Sequence, residues 1–166
     1  LGPLAARLGG AVQRPLLLAW LRSVIHATRE DLLPDFRGYA QALQAWPANP
    51  SPRPGRVEAS AFEGHSVRQC LAATVSAAAE SAPLSIHHAL MEAAARHLLR
   101  FDEAVEQRSD NTLADNVGWL DCTHAITFGH AVRLHCLRHP ERWPQGLLQL
   151  AMFVGHLGAG LAVKAA

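Results

Sequence analysis

The 166-residue chain has only three cysteines, Cys70, Cys122 and Cys136, and almost no charge imbalance, with fifteen basic against fourteen acidic residues. A small, odd cysteine set excludes a disulfide framework and points to a reducing compartment, the cytoplasm. A net charge of +1 gives the chain as a whole no field that would collect nucleic acid or an anionic membrane surface. β-Branched residues rarely cluster or alternate with polar ones, so strands have no local support. Glu-x-x-His, HExxH and paired CxxC motifs are missing, and with them the ferritin-type di-iron signature and the common zinc sites. A P-loop, a GxGxxG run, a Ser-His-Asp elbow and an Arg/Lys-led signal peptide are missing as well. The chain opens without Met and closes in an apolar run, from which we expect a fragment of a longer protein.

Hydrophobic residues make up 49% of the chain and charged residues 17%, enough apolar surface for one folded domain spanning 1–166. Ala, Leu and Arg are the commonest residues and apolar residues recur at the 3.6 period, which predicts an all-α bundle of five or more helices. Pro15 suits a first helical turn, with Leu17, Leu18, Leu21, Val24 and Ile25 following to about Thr28. Pro34 opens a short helix through Tyr39, Leu43 and Trp46. The prolines of Pro47–Gly55 exclude helix and predict an exposed linker. Further helices are expected over Ser66–Glu80, from Leu84 to about Gln107 with Met91, Ala94, Leu98, Phe101 and Val105 on one apolar arc and His87 inside it, from Trp119 to about Leu137, and from Pro144 onward. Gly146 to Val163 carries no charge, but Gln149, His156 and several glycines favour a buried helix over a membrane span.

Ten histidines carry the chemical interest. Cys122-Thr123-His124 and Cys136-Leu137-Arg138-His139 reproduce the CxH and CxxH order of a Rieske [2Fe–2S] centre. Both pairs fall on one helical run, where Cys122 and His124 diverge, so no iron–sulfur cluster is expected in this chain. A second constellation unites His87, His88, Glu92 and Asp102 on one helix with Asp121, His124 and His130 on the next. Imidazole and carboxylate facing inward from neighbouring helices are how bundles hold iron or another divalent metal. The alternative is structural: His87 and His130 as hydrogen-bonded core histidines, and His88, Glu92 and Asp102 as a solvated or salt-bridged face. His124 shares a helix face with Leu120, Thr127, His130, Ala131 and Leu134, which predicts that it points into the bundle.

The run His97–Arg133 holds RFD and then W-x-D-x-T-H-x-x-T-x-x-x-A, in Trp119, Asp121, Thr123, His124, Thr127 and Ala131. In this it resembles a helical domain of bacterial proteins that also carry a Rieske-type [2Fe–2S] domain. A weaker similarity is to questin oxidase-like proteins, which perform a Baeyer–Villiger-type oxygenation. The resemblance covers less than half the chain and implies a redox-associated role beside a Rieske-type domain that this chain does not itself contain. Two functions follow as expectations. One is a metal-dependent oxidoreductase domain using His and Asp/Glu ligands. The other is a non-catalytic helical module that packs or oligomerises beside a redox domain.

Overall fold

The computed structural model describes residues 7, 9–25, 37–50, 53–101 and 118–162, with side chains as far as residue 158 in the last helix. Six α-helices occupy them: α1 Gly10–Ile25, α2 Tyr39–Gln44, α3 Val67–Glu80, α4 Pro83–Leu99, α5 Trp119–Arg138 and α6 Trp143–Ala162. The described residues hold no strand, and the fold is all-α as expected. The chain divides into two units, Leu1–Glu30 and Asp31–Ala166. The first contains α1 and the second the other five helices.

Helix α1 begins five residues before the expected start and takes Pro15 into its interior. The apolar spacing outweighs the one backbone hydrogen bond that proline removes there. The expected start at Pro34 lies outside the described residues. Helix α3 is fixed by a capping box: the Gln69 N–H donates to the Ser66 hydroxyl at 3.4 Å, and the Ser66 N–H donates to the Gln69 side-chain oxygen at 2.9 Å. Three residues after the end of α3, Pro83 opens α4 as its first residue, where its missing N–H costs nothing. The corner between the helices is tied to the proline-rich segment, because the Ala82 N–H donates to the Arg53 carbonyl at 2.7 Å. Helix α4 ends at Leu99, earlier than the expected Gln107, with Arg100 as its C-cap.

Helix α6 lies against α2, α3, α4 and α5 and supplies the centre of the second unit. Its Leu147, Leu148, Leu150, Ala151, Val154 and Leu157 are fully buried, packing with Phe62, Ile86 and Leu90. Two glycines of α6 admit close neighbours. A Cβ at Gly155 would stand 2.6 Å from the Cα of Val67, and one at Gly146 would stand 2.7 Å from a Val132 methyl. Among the described residues no helix is long and apolar enough to cross a membrane.

Candidate functional site

His87 sits where α4, α5 and α6 meet, and it is only 2% exposed. Its Nε2 lies 2.8 Å from the Gly129 carbonyl of α5, to which the ring N–H donates. Gly129 is part of the reason the two helices come so close, since a Cβ there would collide with the Met91 thioether of α4. The ring meets Trp143 edge-on at 6.0 Å and His88 at 6.0 Å. Nδ1 is buried without a partner. Burial lowers the His87 pKa; the Gly129 carbonyl opposes that shift, while His88, Arg133 and His130 add to it. The outcome is a neutral imidazole bridging two helices.

The other members of the expected ligand set are not drawn to it. His88 and Glu92 are exposed, and Glu92 pairs with Arg96 one turn on. Arg96 also reaches Glu63, which Arg100 joins at 3.0 Å. Burial alone would raise the Glu63 pKa, but hydrogen bonds and charge from the two guanidiniums bring it below the ordinary value. Asp121 accepts the Gly118 N–H at 2.8 Å and so serves the start of α5. Asp102 lies outside the described residues. No three His, Cys, Asp or Glu side chains among the described residues stand close enough together to hold a metal ion.

The inward orientation expected for His124 is overturned, because His124 is exposed. The same holds for its whole face: Leu120 is 61% exposed, Leu134 46% and Leu137 52%, and Thr127, His130 and Ala131 are exposed with them. The face that enters the bundle is the opposite one, Cys122, Ala125, Gly129, Val132 and Cys136. Small side chains win there because α4 and α6 approach too closely for leucine. Cys122 is therefore buried and His124 exposed on one helix. All three cysteines are free and buried. Burial raises each thiol pKa, that of Cys70 to about 12, which keeps them as unreactive thiols.

Sequence reasoning did not single out His97. It is 2% exposed, and neither ring nitrogen has a hydrogen-bond partner. Burial lowers its pKa, with Glu63 opposing and Arg100 assisting. The available signal was its place on the arc of Ile86, Leu90, Ala93 and Ala94, all fully buried. The arc read from the sequence through Met91, Ala94 and Leu98 is rotated from this one, and Met91 and Leu98 are half-buried.

An open groove of about 810 Å³ runs between α2 and α3, with Arg37, Gln41, Arg68 and Ser76 at its polar edge and Ala42 and Leu71 on its floor. None of the expected site residues lines it. No protein-family model, no curated protein and no solved structure matches the chain.

Proposed function

We propose that the chain is a non-catalytic helical packing module that pairs with a second copy of itself through the outer face of α5. The observation that carries this reading is the exposed line of Leu120, Thr127 and Leu134 on a helix whose opposite side already fills the bundle. These residues recur every seven positions, the spacing of a coiled-coil seam. The stripe is also self-complementary about Thr127. In an antiparallel pair with its two-fold axis at that residue, Leu120 meets Leu134 of the other copy, Thr123 meets Ala131, and His124 meets His130. An isologous contact of this kind is the commonest way for a soluble chain to form a closed dimer. The resemblance of His97–Arg133 to a helical domain found with Rieske-type domains supplies the setting, a dimeric platform beside a redox domain.

The metal-dependent reading has less support, because the described members of its ligand set are spread over a helix interface, two exposed faces and a helix cap.

Sedimentation equilibrium of the wild-type chain and of the Leu120→Glu/Leu134→Glu double variant tests the proposal. The wild type should sediment as a dimer at micromolar concentration. The variant should dissociate at least about a hundredfold more readily, since burying each leucine contributes about 1–2 kcal/mol and four are lost per dimer. The circular dichroism spectrum should stay helical. A wild-type monomer, or a dimer indifferent to both glutamates, would remove the basis for this function.

A further inference from the structure

The near-neutral total conceals an uneven distribution. Residues 1–29 carry Arg7, Arg14, Arg22 and Arg29 and no acidic residue. The remainder carries eleven basic against fourteen acidic side chains, so a chain of net charge +1 divides into +4 and −3. Such asymmetry points to a basic segment with an anionic partner.

Helix α1 lies within this basic segment, and none of its residues is buried. From Leu16 to Ile25, at about 100° per residue, Leu16, Trp20, Val24, Leu17, Leu21, Ile25 and Leu18 follow one another around an arc of roughly 200°. Arg22, Ala19 and Ser23 fill the rest, and the Ser23 hydroxyl is turned back to donate to the Ala19 carbonyl at 3.0 Å. All but Leu16 of these seven large apolar residues are exposed.

We infer that α1 is an interfacial helix that lies in the surface of an anionic lipid bilayer. The width of the apolar arc matters here. A coiled-coil seam needs a narrow stripe, whereas an arc covering more than half the helix suits a planar apolar medium. Charge decides the occupant. A second α1 would set arginine against arginine with no carboxylate on either helix, while anionic headgroups complement Arg14 and Arg22. Trp20 has the amphipathic ring favoured at the headgroup level. One turn before Leu17 and Leu18, Gln13 and Arg14 project inside the same arc, and there the long arginine side chain can bury its stem and keep its guanidinium among the headgroups. Among the described residues α1 is not long and apolar enough to cross a bilayer, and an orientation in the surface plane is the one proposed. The residues of this arc are not those of the α5 pairing, and the inference does not depend on that pairing.

Flotation of the full chain with vesicles provides the test, comparing phosphatidylcholine alone with a mixture containing phosphatidylglycerol at low salt. The chain should float with the mixed vesicles and not with the neutral ones, and added salt should release it. Arg14→Gln/Arg22→Gln should weaken binding by about fivefold for each arginine. Leu17→Glu/Leu21→Glu should abolish it, while Leu120→Glu/Leu134→Glu should leave it intact. Absence of binding, equal binding to both vesicles, or binding unaffected by the α1 glutamates would overturn the inference. So would a loss of self-association in the Leu17→Glu/Leu21→Glu variant without any vesicle binding by the wild type, which would assign the arc to a second copy.

Discussion

Helices α5 and α6 have the same length, twenty residues each, and bury opposite kinds of side chain. Helix α6 puts its leucines into the core and takes up the middle of the second unit. Helix α5 buries Cys122, Ala125, Gly129, Val132 and Cys136 and leaves Leu120, Leu134 and Leu137 outside. The difference lies in the space each neighbour allows. Where Gly129 faces the Met91 side chain and Gly146 faces that of Val132, neighbouring side chains already fill the space a larger residue would need. Burial on such a helix follows size before hydrophobicity, because the interior is close-packed and overpacking costs as well as cavities do. A leucine on the outside of α5 is thus free for a second interface.

The largest effect expected from this contrast comes from deleting the same side chain on the two helices. Leu150→Ala should cost about 2–5 kcal/mol in chemical denaturation, since it empties a fully buried site. Leu134→Ala, measured in a dissociated background carrying Leu120→Glu, should change monomer stability by less than about 0.5 kcal/mol. Equal losses would mean that the outer face of α5 supports the fold itself.

A smaller loss should follow from adding a methyl group at the close approach on α6. Gly155→Ala sets its Cβ against the backbone of Val67, which cannot turn aside, and should cost about 1–3 kcal/mol in the same assay. At Gly129 the obstacle is the flexible end of Met91, so Gly129→Ala should cost less. The reverse order would show that the α4–α5 contact is the stiffer one.

The smallest effect is the pH dependence. His87 and His97 have lowered pKa values in the folded chain, so the unfolded chain binds more protons once pH falls below the ordinary histidine value of about 6.5. Stability should be level above that value and fall with acid below it, by at most about 1.4 kcal/mol per pH unit for each imidazole. Glu63, lowered by its arginines, should add a further loss below the ordinary glutamate range. His97→Leu should flatten the histidine phase in a urea titration repeated across pH. An unchanged slope would assign that phase to other groups.

The helices were legible because apolar residues recur at the 3.6 period and some starts carry a proline or a polar cap. Pro83 opens α4, and Ser66 with Gln69 forms a capping box visible in the order of residues. His87 was correctly read inside an apolar arc. The buried face of α5 was not legible by weighing hydrophobicity, because Leu120 and Leu134 outweigh Cys122, Ala125 and Gly129 although only the latter fit against α4 and α6. His124 was misplaced with that face. The error on α4 was one of rotation, and it hid His97. The joining of Glu63 to Arg96 and Arg100 spans more than thirty positions and leaves no local trace. Nor does a whole-chain charge of +1 disclose that its first 29 residues carry only arginine.

The claim that the outer face of α5 pairs with its own copy is tested most directly by a cysteine placed on the expected axis. Thr127→Cys puts one thiol from each copy face to face, within the reach of a disulfide. The native cysteines are buried and do not compete. Under mild oxidation this variant should convert to a covalent dimer, while Ala79→Cys, an exposed control on α3, should remain monomeric on a non-reducing gel. Cross-linking no faster at position 127 than at 79 would contradict the pairing.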